Sequence, residues 1–352
     1  MEKMQKKYHI YLDILTIIAC LMVVFFHMNE IVYQYSDTIS WKISVVERCI
    51  VYSAIPIFFM LSGAKLLGYR SRYSTKEFIK KRLIRVGIPF LFWNVFYVIY
   101  HFVFKLEPSV ESGRQFLSML FNSEFQNRYW FFYPLFAVYA AIPVLSLILP
   151  AENHRKYLWY MVGVTFVLNW VLVPVCKIAG ITYNSYAVLP VCGGYMMYVI
   201  LGYLVSTEQW SGYKRWLLYL SALLSGIFAV WYTVTASAAA GETVRFMFSY
   251  NYFPSALTGA AIFVFVKHLF DKPLKDSALQ RGGRLTKFIR TVSGCCMGVW
   301  LTHSLGILVI AYTTDIPSSS YIWRFVCPFG VFAVCVLGTY IVKKIPILKY
   351  IV

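Results

Sequence analysis

Residues Tyr8–Glu30, YHIYLDILTIIACLMVVFFHMNE, decide how the chain is read. The run is apolar for long enough to cross a bilayer, which takes about 20 residues at about 1.5 Å of rise each. It nevertheless carries Asp13 near its start and His27 near its end. Ionisable groups within such a run are costly in hydrocarbon and face a protein interior, a water-filled cavity or a partner. The two lie about 21 Å apart along a helix axis, toward opposite membrane faces, and cannot touch each other. That geometry suggests a site reached from both sides. The run is too long for a signal-peptide core and lacks a small-x-small cleavage site, so it is expected to be retained.

The rest of the chain extends this reading. Of 352 residues, 59% are hydrophobic and 14% charged, and the mean hydropathy is +0.63. Soluble domains carry roughly 25% charged residues, so the composition describes an integral membrane protein. The net charge of +18 does not mark a nucleic-acid binder, because the basic residues fall in short segments between apolar runs. The eight cysteines lie nearly all inside apolar runs and form no Cys-x-x-Cys pair. Adjacent Cys295 and Cys296 read as small apolar residues. Cys176 and Cys192 flank one outer loop and are the pair that could form a disulfide.

Ten spans can be laid out, at about 9–29, 44–68, 84–105, 129–149, 156–177, 188–206, 215–236, 250–270, 288–311 and 321–343. Basic residues gather at both termini and after even-numbered spans, above all in 69–85 and 267–290. By this division, 24 of the 33 Lys and Arg fall on one side. The positive-inside rule makes that side cytoplasmic, with both termini inside. The longest outer segment, 106–128, holds Glu107, Glu111, Arg114, Glu124 and Arg128 and is expected to fold over the outer mouth. No repeat or linker marks a second domain. The expectation is an all-α, polytopic membrane protein with residues 1–352 forming a single domain and no appended soluble catalytic domain.

Several residues in this frame could carry chemistry. His27, followed by Asn29 and Glu30, can exchange a proton near neutral pH and suits a general base acting on a hydroxyl. The alternative is an interfacial histidine bonded to a backbone carbonyl. In KKRLIRVGIPF, Arg82 and Arg85 share a helix face where span three enters the membrane. Guanidinium forks there suit a phosphate oxyanion, although boundary arginines also anchor spans and contact anionic lipids. In IPIFFMLSGAKLL, Pro56 is expected to kink span two, and Ser62-Gly63 to allow close backbone approach. Packing is the favoured role for Ser62, while Lys65 can snorkel to the interface or reach an anion. His303, in MGVWLTHSLG, lies well inside span nine and is either functional or hydrogen-bonded to a neighbouring helix. Trp130, within YWFFY, can stack on a sugar or sit in the interfacial belt. No two histidines have metal-ligand spacing on one helix, so no metal is expected.

Taken together, these stretches resemble the acyltransferase 3 family of multi-spanning membrane proteins over nearly the whole chain. LDILTIIACLMVVFFH is similar to the family's opening helix, IPIFFMLSG to its second-helix motif and KKRLIRVGIPF to its basic entry. YWFFYPLFAVYAAIP resembles its Trp-Phe helix and VWLTHSL its late histidine helix. The resemblance implies acyl transfer, usually of acetyl from acetyl-CoA, across the membrane onto envelope carbohydrates or related acceptors. It makes His27 the catalytic histidine, and Arg82 and Arg85 the cytoplasmic basic motif. Two positions depart from the pattern: Thr16 stands where the family commonly has Arg or Lys, and Arg128 where a histidine is frequent. The missing cation would then come from another residue, such as Lys65 or Arg85.

On this reading acyl-CoA is the donor substrate, near Arg82, Arg85, Lys65 and Ser62, and no bound cofactor is required. His27 acts on an acceptor hydroxyl from outside, with Trp130, His303 and Glu124 on the acceptor side. A histidine base works best when a carboxylate orients it; Glu30, Glu47 and Glu124 are the candidates. The expected location is a cell membrane, the cytoplasmic membrane of a bacterium, with lipids as partners. A transporter or flippase of an envelope glycan or lipid-linked intermediate would use the same cavity without covalent chemistry. A sensor or ligand-binding module is a third reading. Cysteines placed at positions 72 and 284 should be labelled only from the cytoplasmic side, and one at 114 only from outside. External labelling at 284 would overturn the ten-span arrangement.

Overall fold

The computed structural model describes residues 9–106, 110–122, 124–184, 186–187, 192–271 and 283–352. Helix α1, Ile10–Met28, runs through the middle of the bundle without a glycine or proline to interrupt it. Leu15, Ala19 and Val24 on it are fully buried, and it packs against helices from both halves of the chain.

Around α1 stand α2 (Ile39–Val51), α3 (Ala54–Leu66), α4 (Thr75–Arg82), α5 (Ile88–Phe104), α6 (Gly113–Phe121) and α7 (Phe132–Leu145). Then come α8 (His154–Thr165), α9 (Leu172–Ile178), α10 (Met196–Thr207) and α11 (Gly212–Ala240). The chain closes with α12 (Phe253–Asp271), α13 (Arg284–Thr313), α14 (Tyr321–Phe325) and α15 (Cys327–Val342). Joined across short breaks, these make eight helical stretches long and apolar enough to cross a membrane, plus two shorter apolar helices, α10 and α15. No strand occurs among the described residues. This is an all-α polytopic membrane fold. Leu220, Leu223, Leu224, Ile227 and Trp231 of α11 point outward, as side chains facing hydrocarbon do.

Two expectations about the spans are corrected by local chemistry. Span two is not one kinked helix: it breaks at Tyr52–Ser53, and Pro56 lies in the first turn of α3, where its missing N–H costs no helical hydrogen bond. Among its described residues span six is helical from Met196, because the chain turns at Gly193–Gly194 and Gly194 has φ of +55°, a conformation open to glycine. The outer segment 106–128 contains the helix α6, started by Ser112, whose hydroxyl accepts from the Gln115 N–H. Glu107 lies outside the described residues. Cys176 and Cys192 are both free thiols rather than a disulfide pair.

The expected close approach at Gly63 is present. A Cβ there would stand 1.8 Å from the Val199 carbonyl oxygen on α10, and one at Gly202 would stand 2.0 Å from that of Met60. Helices α3 and α10 therefore touch backbone to backbone, the contact that small residues allow in membranes. The carbonyls ending α10 are in turn satisfied by Lys267, whose Nζ donates to Val205, Ser206 and Glu208.

Both ends of the described chain are tied to the bundle by side-chain contacts. His9 Nδ1 lies 2.8 Å from Asp271 Oδ1, and Trp93 Nε1 donates to the Ile351 carbonyl at 2.8 Å. Gly63→Ala and Gly202→Ala should each destabilise the purified protein by about 1–3 kcal/mol or more, as overpacking does. Gly226→Ala, which meets nothing within 4 Å, should leave thermal unfolding unchanged or slightly raised. Equal unfolding temperatures for the three variants would remove the backbone contact as a determinant.

Candidate active site

The C-terminal end of the chain borders a cavity of about 750 Å³, which Lys349, Tyr350 and Val352 help line. Arg82 reaches it from the end of α4 and Arg85 from the π-helical turn Leu83–Gly87 that follows. Pro89, in the first turn of α5, has no N–H to offer the carbonyl four residues back, and a wider turn absorbs that loss. Phe78, fully buried against Tyr69 with ring centroids 4.5 Å apart, pins α4 to the bundle. Arg85 is exposed, while the Arg82 Nε is buried with no hydrogen-bond partner among the described residues.

Ser62 and Lys65 of α3 line the same cavity. Lys65 Nζ donates to Thr16 Oγ1 at 3.0 Å, so an ammonium stands beside the position where the family resemblance leads one to look for a cation. Thr16 Oγ1 itself donates to the Leu12 carbonyl at 2.7 Å. Asp13 lies one turn away and accepts from Ser293 Oγ at 2.7 Å. Lys343 and Lys349 complete the basic lining. The Ser62 hydroxyl donates to the Phe58 carbonyl at 3.1 Å, so Ser62 both packs on its own helix and faces the cavity.

At its deep end the cavity is closed by Phe58, Phe131 and Trp300. The Trp300 ring lies 4.6 Å from Phe131 and 5.2 Å from Phe58, centroid to centroid. Trp300 also borders a second, small chamber of about 30 Å³, room for about one water, lined by His27, Arg128, Trp130 and Tyr250. One indole thus separates the basic cavity from the chamber of the histidine.

His27 is not alone there. Its ring stacks on that of His303, with centroids 5.1 Å apart and planes at 29°. His303 Nδ1 lies 2.7 Å from the Trp300 carbonyl, and a carbonyl only accepts, so Nδ1 carries the hydrogen and Nε2 the lone pair. That Nε2 is buried and has no partner among the described residues. The charge of Arg128 acts on both imidazoles and on Glu30. Trp130 stacks on Tyr250 at 5.3 Å and 26°, and Tyr250 in turn packs on Tyr52 at 4.7 Å.

The structure thus brings together Arg82, Arg85, Lys65 and Ser62 at one end, and His27, His303 and Trp130 at the other. Glu30 and Glu124 are exposed, and Glu47 is buried with both carboxyl oxygens unpartnered. None of the three is hydrogen-bonded to His27. The pairing of His27 with His303 was not visible in the sequence, where the two are far apart. Buried Arg48 and Arg324 were also overlooked; a charge inside a predicted span was the available signal.

A family model described as an acyltransferase domain matches residues 9–342, nearly the whole chain. The chain belongs to the acyltransferase 3 family and is a membrane acyltransferase. Comparisons with curated proteins and with solved structures find no match.

If Trp300 is the partition between the two spaces, Trp300→Ala joins them. A water-soluble thiol reagent applied from the face of the basic cavity should then modify a cysteine introduced at Ala54, which lines the chamber, with the site read by peptide mapping. Equal modification with and without Trp300 would show that another path exists.

Proposed function

We propose that the protein transfers an acyl group, acetyl in the first instance, from cytoplasmic acyl-CoA to a hydroxyl of an acceptor reaching the opposite face. The observation that carries this reading is the shared wall. A basic cavity lined by Lys65, Arg82 and Arg85 ends at the indole that also bounds the chamber of His27. Guanidinium and ammonium groups suit the phosphates of CoA. The pantetheine arm would run over the apolar lining toward Phe58, Phe131 and Trp300. The face rich in Lys and Arg is the cytoplasmic one under the positive-inside rule, which puts the donor where acyl-CoA is made.

In the chamber, His27 takes the proton of the acceptor hydroxyl as that oxygen attacks the thioester carbonyl. The tetrahedral intermediate collapses with cleavage of the carbon–sulfur bond, and the CoA sulfur leaves as the thiolate and takes up a proton. The indole N–H of Trp300, buried without a hydrogen-bond partner among the described residues, is a donor suited to the intermediate's oxyanion. With no carboxylate hydrogen-bonded to His27, the stacked His303 is the group that limits its ring orientation. A cell-envelope carbohydrate is the acceptor class that family membership supports best. A flippase reading would leave the basic cavity and the histidine pair in place but consume no acyl-CoA.

Two substitutions separate binding from chemistry. Replacing either Arg82 or Arg85 with alanine should weaken acetyl-CoA binding by about 1.5–3 kcal/mol, the worth of a charged hydrogen bond. His27→Gln should leave that binding almost intact and lower acyl transfer by roughly 10²–10⁴, the contribution of a positioned base. The readouts are calorimetry with acetyl-CoA and release of free CoA in the presence of acceptor. Wild-type turnover by His27→Gln would pass the role of base to His303.

A further inference from the structure

The far side of the histidine chamber holds more positive charge than a neutral acceptor needs. Arg48 is fully buried, with its guanidinium carbon 4.0 Å from the Phe26 ring centroid and 4.9 Å from that of Tyr33. One of its nitrogens, Nη2, donates to the Asn29 carbonyl, while Nε and Nη1 have no hydrogen-bond partner among the described residues. Arg245 approaches the same Tyr33 ring, at 4.4 Å. Arg128 lines the chamber beside His27 and makes no ion pair with the described residues.

The carboxylates nearby do not cancel this charge. Glu47 lies within the field of both Arg48 and Arg324. Arg324 is spoken for by Ser40, whose carbonyl and hydroxyl it binds at 3.1 and 2.8 Å. Glu30 is exposed, Glu242 makes no ion pair with Arg245, and Asp37 is taken by Lys42 at 2.7 Å. Three guanidiniums, those of Arg48, Arg128 and Arg245, therefore have no carboxylate in ion-pair contact among the described residues. Guanidinium groups drawn out of water without a counter-charge are costly, and their forks match the oxygens of phosphate and carboxylate.

We propose that the acceptor is anionic, with a phosphate or carboxylate that docks on Arg128, Arg245 and Arg48 and so presents a neighbouring hydroxyl to His27. The half-buried rings of Tyr33, beside Arg245, and of Trp130, in the chamber wall, offer apolar surface for the ring or polyol that carries the anion. The inference rests on acyl transfer at His27 and adds the chemical class of what is acylated.

The test uses full-length protein in lipid nanodiscs, radiolabelled acetyl-CoA and an envelope extract of the organism that makes the protein. The extract is split by anion exchange into retained and unretained material, and the retained part by chloroform–methanol. Label should enter the retained fraction. Its appearance in the organic phase assigns the anion to a lipid-linked phosphate, and in the aqueous phase to an acidic polymer. Arg128→Gln and Arg245→Gln should raise the amount of acceptor needed for half-maximal labelling about tenfold or more, with the acetyl-CoA requirement unchanged. Arg245→Lys should recover part of the loss. Label in the unretained fraction, or wild-type acceptor requirement in both glutamine variants, overturns the anionic acceptor while leaving acyl transfer standing. Label in neither fraction with wild type removes the acyl-transfer reading, and this inference with it.

Discussion

One stiff rod sets the length scale of the site. Thr16 and His27 belong to the same uninterrupted helix, and eleven residues of helix hold them about 16 Å apart. Thr16 lies in the basic cavity and His27 in the small chamber. Helix α13 follows α1 over this length, from Ser293 at Asp13 to Cys296 at Cys20. Lys65 bonds to α1 at the level of Thr16 and His303 stacks on it at the level of His27. Because a helix neither stretches nor bends appreciably over three turns, a donor anchored at the basic end must reach a fixed distance to meet the histidine. On the reading proposed above, the long arm of acyl-CoA meets that demand.

Charge is distributed to match. Both spaces are electropositive, yet they achieve this differently. The wide cavity uses Lys65, Arg82, Arg85, Lys343 and Lys349 around a partly open mouth, where water moderates each charge. The outer hollow uses arginines alone, with Arg48 withdrawn under Phe26 and Tyr33. Aromatic faces stack on a planar, weakly hydrated guanidinium more readily than on a strongly hydrated ammonium. The residue types thus follow the local supply of water.

Most of the fold was legible in the residues, because hydrocarbon admits few structures other than helices and the apolar runs announce their length. The interruptions were less so. Pro56 was read as a kink because its place in the helix depends on where the helix begins, and the start of α3 is set by a break two residues after α2 ends. The basic cavity could be foreseen from Arg82, Arg85 and Lys65, since charges next to a predicted span have few places to go. The stack of His27 on His303 could not, since it depends on how α1 and α13 are rotated against each other. The Lys65–Thr16 bond has the same origin: only packing brings the second span's cation to the first span's hydroxyl.

The layer of rings at Phe58, Phe131 and Trp300 has an electrical meaning. A membrane holds its voltage across whatever part of it excludes water. Where aqueous spaces approach from both faces, the drop concentrates across the thin partition between them. Moving one elementary charge through that partition works against about 2.3 kcal/mol per 100 mV. A neutral acyl group crosses without feeling the potential. Under the reaction proposed above, a carrier bearing several phosphate charges would stay on its own side while its cargo passes.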